Sequence, residues 1–208
     1  MKKTIVYLIR HSEQLKIDGI KNIKEEQQIS NEKILLSVEG EIKASNLSKI
    51  EELQGIDVIW SSNYVRAIST AKYIAHRNNL SINLDSNFNE RKLGNLETLD
   101  KIYENTKYSF TEAQLLDADL KNINGENRYE VNKRMDYSLN KILKDYLGKK
   151  IVIVSHGAAI KFLLMNWCTL NEVRKLVYNN CIIDLNSPSI IKLEFNKDKL
   201  ENLSIINF

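Results

Sequence analysis

Several residue types are scarce in this sequence, and the scarcity of cysteine excludes two classes of protein. The 208 residues include one proline, two cysteines and three histidines. Two cysteines are too few for a disulfide framework, and Cys168 and Cys181 lack the close spacing of a metal-binding pair. We therefore predict that both thiols are reduced and buried, and that the protein is cytoplasmic.

Long apolar runs and a large charge of one sign are also missing from the sequence. No segment approaches the ~20 apolar residues that cross a bilayer, so we expect no association with a membrane. The apolar run near the start is short and is cut by Arg10 and His11, which argues against a signal peptide. The net charge of +3 is too small to indicate binding to nucleic acid.

Short apolar segments alternate with helical patterns along the chain, without an internal repeat or a low-complexity linker. This alternation predicts a single α/β domain over residues 1–208, a three-layer α/β/α sandwich with a mostly parallel central sheet. Irregular segments near 12–31 and 98–125 are expected to cap the site. The predicted strands cover residues 5–11, 56–60, 82–84, 151–155, 182–185 and 190–195. One predicted helix begins near residue 37, with Ile42, Leu47, Ile50 and Leu53 on its apolar face. The other predicted helices cover residues 64–77, 126–147 and 158–166.

Polar side chains follow the apolar strands, at the point where each strand ends. Arg10 and His11 close the first strand, and His156 closes a later one. Ser62 and Arg66 lie at and just after the end of the second strand. Open α/β sheets build their sites at the carboxyl ends of the strands, so these side chains are expected to meet in one crevice. Arginine binds phosphate well, and neighbouring cations keep an imidazole neutral and nucleophilic.

An acidic residue adds the proton chemistry that such an anion site would use. Glu90 follows the predicted strand of residues 82–84. A carboxyl group beside a bound dianion favours its protonated form, which can donate a proton to a leaving oxygen. Glu13, Glu97 and Glu126 are alternatives for this acid.

Four segments carry these residues, and together they form a specific pattern. The segments are 8–13 (Leu-Ile-Arg-His-Ser-Glu), 61–71 (Ser-Ser-Asn-Tyr-Val-Arg-Ala-Ile-Ser-Thr-Ala), 90–97 (Glu-Arg-Lys-Leu-Gly-Asn-Leu-Glu) and 154–157 (Val-Ser-His-Gly). They resemble, in order and spacing, the signature blocks of the histidine phosphatase superfamily, also called the phosphoglycerate mutase-like family. The resemblance extends over nearly the whole chain, and it implies that family's fold.

The resemblance implies a role for each residue of the pattern. His11 corresponds to the nucleophile that forms a phosphohistidine, and Glu90 corresponds to the proton donor. The groups that hold the phosphoryl oxygens correspond to Arg10, Arg66 and His156, and His156 also counts among the catalytic residues. The resemblance further implies that no metal and no cofactor is needed, and that the partner is a small phosphorylated metabolite.

The sequence departs from the family pattern at several positions. Ser12 stands where the family has glycine, and a turn that required a positive φ would be strained by a serine. Gln14 replaces the usual Thr or Ser, and Ile17 stands where many members have a phosphate-binding Asn. Thr98 replaces a glycine. These changes leave the central residues intact and bear on the affinity for the substrate.

Three functions are compatible with this pattern. The first is a phosphatase that hydrolyses a small phosphomonoester through a phosphohistidine intermediate. The second is a phosphoglycerate mutase, although Lys92 and Leu93 occupy the place where glycolytic mutases carry His-Tyr. The third is a catalytically weak phosphate-binding regulatory protein, which Ser12 alone favours. His76, on the outer part of a helix, is expected to have no catalytic role. The natural substrate and the oligomeric state are left open.

Overall fold

The computed structural model describes residues 2–16, 31–95 and 109–208. The strands in these residues are β1 (Thr4–Arg10), β2 (Val58–Ser61), β3 (Ile82–Leu84), β4 (Lys150–Ser155), β5 (Thr169–Leu170), β6 (Leu176–Tyr178), β7 (Cys181–Ile183), β8 (Ser189–Asn196) and β9 (Lys199–Ile206). The helices are α1 (Val38–Leu47), α2 (Val65–Asn78), α3 (Phe110–Leu116), α4 (Arg128–Asp145) and α5 (Gly157–Leu164). Short 3₁₀ turns cover Glu51–Leu53 and Ser86–Phe88.

The main sheet has the strand order β3, β2, β4, β1, β8, β9. The first four of these strands run parallel to one another, β8 is antiparallel to β1, and β9 is antiparallel to β8. Because β2, β4 and β1 are parallel neighbours, their carboxyl ends lie side by side at one edge of the sheet. The prediction of a mostly parallel central sheet is confirmed.

Alternate side chains of the parallel strands supply two hydrophobic clusters, one on each face of the sheet. In β1, Val6 and Leu8 belong to one cluster, whereas Tyr7 and Ile9 belong to the other. Residues of α4 and α5 complete the first cluster, and residues of α1 and α2 complete the second. A strand that is buried on both faces is apolar at nearly every position, which explains the continuous apolar runs in the sequence. The predicted three-layer α/β fold is confirmed.

Helix α4 shows how local sequence sets the ends of an element. The side chain of Asn127 accepts from the N–H of Glu130, and the Glu130 carboxylate accepts in return from the N–H of Asn127. This capping box starts the helix at Arg128, two residues after the start predicted from periodicity. The helix ends at Asp145, and the positive φ of Gly148 forms the turn that follows it.

Several predictions about the elements were wrong. Helix α1 ends at Leu47, so it does not carry an apolar face as far as Leu53. Ile42, which was expected to point inward, is 56% exposed because the buried face of α1 is formed by residues such as Ala44. The predicted strand of residues 182–185 belongs in part to β7, which pairs with β6 in a separate three-stranded sheet.

The structure also adds elements that the pattern did not predict. The segment expected to be irregular contains helix α3, which begins with a capping box between Ser109 and Glu112. Strand β9 completes the edge of the main sheet. Cys168 is buried as expected, but Cys181 is exposed, so the prediction for Cys181 was wrong. No helix in the described ranges is long and apolar enough to span a bilayer.

Candidate active site

The carboxyl ends of three neighbouring strands bring the predicted site residues together. Arg10 pairs in register with Ser155 across β1 and β4, so His11 and His156 leave the sheet at the same level. The centroids of the two imidazole rings are 5.0 Å apart. A cavity of about 480 Å³ opens beside these strand ends. Its lining includes Arg10, His11, Arg66, Glu90, Gly157 and Lys161.

The ring of His11 is held with one nitrogen unprotonated, the form that can act as a base or nucleophile. Nδ1 lies 2.7 Å from the carbonyl oxygen of Ser12, which can only accept, so Nδ1 carries the proton. Nε2 therefore has the lone pair. Burial and the positive charges of Arg66 and Arg10 lower the pKa of His11 to about 3. At neutral pH the ring is uncharged, which is the nucleophilic form.

Arg66 is buried beside His11 rather than solvated on its helix. Its side chain is 2% exposed, and its Nε–H donates to Nε2 of His11 over 3.1 Å. Its Nη1 donates to the carbonyl oxygen of Asn31, and its guanidinium lies 5.0 Å from the ring centroid of Tyr64. Its position at the start of α2, the helix that follows β2, places the guanidinium in the lining of the cavity.

Arg10 lies against the first residue of helix α5. A Cβ on Gly157 would come within 3.1 Å of Nε and 3.2 Å of Cζ of Arg10, so the close approach depends on glycine. The Nη1 of Arg10 donates to the carbonyl oxygen of Leu185, whereas its buried Nε has no partner within the described residues. An unpaired buried donor on an arginine at the pocket is what an anion ligand would satisfy.

His156 is fully buried at the end of β4. Its ring makes an edge contact with the ring of Tyr64, with the centroids 4.9 Å apart. Nε2 lies 2.7 Å from Oγ of Ser62. Burial is the main cause that holds the pKa of His156 well below its ordinary value, followed by coupling to the titration of His11 and by the charge of Arg66. Ser62 was expected near the site, but its link to His156 was not anticipated from the sequence.

Glu90 reaches the pocket from the loop that follows β3. Oε1 accepts from the N–H of Ala159 over 3.0 Å, and Oε2 accepts from the N–H of Ala158 over 3.3 Å. The free N–H groups at the start of α5 therefore hold the carboxylate beside the anion pocket. The next residue, Arg91, is buried, with its guanidinium 4.8 Å from the ring centroid of Phe110. This buried arginine anchors the loop that presents Glu90.

The family can be assigned once this geometry is known. The family model described as "Histidine phosphatase superfamily (branch 1)" matches residues 6–205. The chain belongs to the histidine phosphatase superfamily. It is 29% identical over 186 residues to the Yersinia enterocolitica protein named "Probable phosphoglycerate mutase GpmB", a match that covers 85% of this chain and 81% of that protein.

Solved structures of this superfamily have a similar fold. The mycobacterial glucosyl-3-phosphoglycerate phosphatase aligns with a TM-score of 0.72 at 18% identity, over 98% of this chain and 97% of that one. The phosphoglycerate mutase from Bacillus anthracis aligns with a TM-score of 0.65 at 15% identity, over 99% and 93%. At these identities the likeness supports the fold alone. The prediction of a phosphoryl-transfer enzyme, a phosphatase or a mutase, is confirmed at the level of the superfamily.

Ser12, the departure from the superfamily's glycine, is accommodated without backbone strain. It does not adopt a positive φ, and its side chain is completely buried. Its N–H donates to Oγ1 of Thr70 over 2.9 Å, and its hydroxyl donates to the carbonyl oxygen of Gly40 over 2.7 Å. A serine here joins the loop that follows His11 to α1 and α2. It gives no support to a weakened site.

Two of the alternative acids are engaged elsewhere. Glu13 forms an ion pair with Lys43 at the mouth of the pocket. Both carboxylate oxygens of Glu126 contact Arg134, over 2.9 and 3.0 Å. Glu97 lies outside the described residues, as do Ile17 and Thr98. The geometry therefore favours Glu90 over Glu13 and Glu126.

The remaining charge of the pocket is positive. Lys161, one turn into α5, lines the cavity without an ion pair in the part of the chain that the structure describes. Burial and the neighbouring Arg10 lower the pKa of Lys161 from its ordinary value. Within the described ranges, no group of three or more His, Cys, Asp and Glu side chains is arranged to hold a metal ion. The fixed positive charge of the site comes from its arginines and this lysine.

Proposed function

We propose that the protein is a phosphatase that hydrolyses a small phosphomonoester through a phosphohistidine on His11. The observation that carries this proposal is the environment of Nε2 of His11. That atom has a lone pair on a buried neutral ring, and the guanidinium of Arg66 lies 3.1 Å from it. A neutral nucleophile among fixed cations suits attack on an anionic phosphoryl group, because the cations neutralise the charge that would otherwise repel it.

In the first step, Nε2 of His11 attacks the phosphorus atom and the ester P–O bond breaks. Glu90, protonated in the complex with an anionic substrate, donates its proton to the departing alcohol oxygen. Arg10, Arg66 and His156 hold the phosphoryl oxygens during the transfer. For this, Arg66 exchanges its hydrogen bond with Nε2 for one with the substrate, because the same lone pair must reach the phosphorus.

In the second step, water replaces the alcohol. The carboxylate of Glu90 takes a proton from a water molecule, the water oxygen attacks the phosphorus, and the P–N bond to His11 breaks. Inorganic phosphate leaves and Glu90 is again protonated, which completes the cycle. The same cationic groups stabilise the transferring phosphoryl oxygens in both steps.

A mutase that returns the phosphoryl group to a second alcohol is the alternative, and the name of the Yersinia relative favours it. The wall of the pocket favours hydrolysis over transfer to a second alcohol. Leu93 contributes an apolar side chain to this wall. Lys92 is exposed, and its backbone N–H donates to the carboxylate of Glu126. Neither residue supplies the His-Tyr pair of the glycolytic mutases. The class of substrate is a small phosphorylated metabolite, the kind of compound that the related phosphatase's name describes.

A labelling experiment tests the proposal. Wild-type protein mixed with a ³²P-labelled phosphomonoester and quenched in alkali should retain an alkali-stable, acid-labile label, as expected of a phosphohistidine. A panel of phosphomonoesters should release inorganic phosphate. His11→Asn should abolish both signals, whereas His76→Asn, which removes an exposed histidine of α2, should keep them. Label on a serine, or turnover by His11→Asn, would refute the mechanism.

The same panel distinguishes the alternative functions. A phosphatase releases phosphate without an added acceptor alcohol. A mutase instead converts a phosphorylated hydroxy acid into its isomer, and little phosphate appears. A binding protein retains vanadate or phosphate but shows neither reaction.

A further inference from the structure

A chain of hydrogen bonds connects the buried ring of His156 to Asn89, the residue before Glu90. Nε2 of His156 lies 2.7 Å from Oγ of Ser62, and this Oγ lies 2.8 Å from Oδ1 of Asn89. Nδ1 of His156 is buried and has no hydrogen-bond partner within the described residues. The mechanism proposed above gives Asn89 no role, although Asn89 directly precedes the proposed proton donor Glu90 in the chain.

The direction of each hydrogen bond follows from the backbone. The N–H of Asn63 donates over 2.8 Å to the same side-chain atom of Asn89, so that atom is the amide oxygen. Because an amide oxygen only accepts, Ser62 donates its single hydroxyl proton to it. With this proton used, Oγ of Ser62 accepts from Nε2–H of His156. Neutral His156 therefore carries its proton on Nε2 and a lone pair on Nδ1.

The surroundings favour this neutral form in the free protein. Burial lowers the pKa of His156 most, and nearby positive groups lower it further. The charged groups among these are Arg10 at the end of β1, Arg66 on α2 and Arg134 on α4, and His11 would add to their effect if it were protonated. The aromatic ring of Tyr64 makes an edge contact with the same ring. Before a ligand binds, the ring therefore offers an acceptor at Nδ1 and no donor.

We propose that Asn89 is a positioning residue that acts through Ser62 to fix this tautomer of His156. The proposal rests on the proposed role of His156 as a ligand of the phosphoryl group. A lone pair repels a fully ionised phosphoryl oxygen but accepts a proton from a P–OH group. The complex thus holds one proton between Nδ1 and a phosphoryl oxygen. A monoanionic substrate brings this proton with it, and a dianion binds together with one proton from solvent.

Substitution of Asn89 tests the tautomer without any substrate. Asn89→Leu removes the acceptor, so Ser62 becomes free to donate to Nε2, and the ring proton moves to Nδ1. Asn89→Asp keeps an oxygen acceptor and is the conservative variant. Asn83→Leu on β3 is the matched control, since it also removes a hydrogen-bonded side-chain amide, one that donates to the carbonyl oxygen of Ile59.

Long-range ¹H–¹⁵N NMR of histidine-labelled protein reports the tautomer directly, with the signal assigned by His156→Gln. Wild type, Asn89→Asp and Asn83→Leu should show the proton on Nε2, and Asn89→Leu should show it wholly or mainly on Nδ1. A wild-type ring protonated on Nδ1, or no change in Asn89→Leu, would overturn the proposal. This result does not depend on hydrolysis, so it is separable from failure of the proposed function.

Calorimetry with methylphosphonate, which is not hydrolysed and has no P–OH group when fully ionised, tests the consequence for binding. In alkaline buffers of different ionisation enthalpy, wild type should take up one proton per phosphonate bound, and its association constant should fall about tenfold per pH unit. Asn89→Leu should take up clearly less than one proton and show a flatter pH dependence, because Nδ1–H donates to the dianion directly. Equal proton uptake by wild type and Asn89→Leu would contradict the proposed role.

Discussion

Arg66 covers Nε2 of His11, the atom that we propose as the nucleophile, with its Nε–H donating to Nε2 over 3.1 Å. The contact has two effects. It favours the neutral imidazole, because a protonated Nε2 would face the guanidinium, and it fixes the ring so that the Nε2 lone pair is directed at Arg66. A substrate that binds here must break this hydrogen bond of Arg66. Its phosphoryl oxygens then accept new hydrogen bonds from the guanidinium.

The depressed pKa of His11 predicts that the protein loses stability in acid. The folded protein holds this ring neutral down to about pH 3, whereas an unfolded chain protonates it below pH 6.5. Between these values the unfolded state binds more protons, so the free energy of unfolding falls as the pH falls. For this histidine alone the loss is about 2 kcal/mol between pH 7 and pH 5.

Urea unfolding at several pH values measures this loss. His11→Asn removes the titrating ring, so its free energy of unfolding should fall less steeply with acid than that of the wild type, by about the amount above. His156 titrates in the same direction in both proteins, because burial and the arginines lower its pKa with or without His11. Parallel curves for wild type and His11→Asn would show that burial does not depress the pKa of His11.

The role of Glu90 depends on the leaving group. Glu90→Gln removes the acid, so phosphorylation of His11 by an alkyl phosphate should slow by a factor on the order of 10² or more. The acidic phenol of an aryl phosphate leaves without help, so phosphorylation of His11 by an aryl phosphate should slow far less. Single-turnover formation of the phosphoenzyme is the measurement, since steady-state rates include the second step.

Glu13→Gln provides the comparison for the acid, because Glu13 lines the same pocket but is paired with Lys43. This substitution should leave the rate of His11 phosphorylation almost unchanged for both substrates. Equal losses for the two substrates in Glu90→Gln would mean that Glu90 only contributes charge. A large selective loss in Glu13→Gln would instead transfer the acid role to Glu13.

Gly157 contacts Arg10, so its substitution should weaken phosphate binding without destabilising the fold. A Cβ at position 157 meets the guanidinium at 3.1 to 3.2 Å, so Arg10 must shift by a few tenths of an ångström. Alanine is a better helix former than glycine, so Gly157→Ala should not lower the free energy of unfolding. Phosphate affinity and kcat/KM should fall by about tenfold, equivalent to ~1.4 kcal/mol. Unchanged phosphate affinity would show that the position of Arg10 is not critical.

Activity should survive exhaustive chelation. The arginines of the pocket and Lys161 supply the positive charge that a metal ion supplies in other phosphoryl-transfer enzymes. Phosphate release measured before and after treatment with a chelator should agree, and a divalent cation should add nothing. Loss in chelator with recovery on adding a divalent cation would show that a metal takes part.

The sequence alone predicted the α/β architecture, and it indicated the residues of the candidate site. Strands β1 and β4 are buried on both faces, so their apolar runs could be identified without a structure, and the polar residues that end them had to lie at one edge of a parallel sheet. The signature segments then indicated His11, Arg66 and His156. Their presence in one crevice follows from the order of the strands, which a residue pattern of this kind predicts well.

Element ends and edge elements were less accessible to the sequence. The capping box of Asn127 and Glu130 moved the start of α4 by two residues, which periodicity does not resolve. Strand β9 pairs on one side only, and β5 to β7 are two or three residues long, so their patterns are too short or too irregular to distinguish from loops. That the whole chain forms one domain stays a prediction.

Only the tertiary structure decided the protonation and the hydrogen bonding of the site. The tautomer of His156 depends on Ser62 and Asn89, which precede it by 94 and 67 positions in the sequence. The accommodation of Ser12 depends on carbonyl and hydroxyl groups of two helices. Residue types predict which groups can react, because their chemistry is intrinsic. The direction of a hydrogen bond is settled by which donors and acceptors distant segments bring together, and that is known only when the chain is folded.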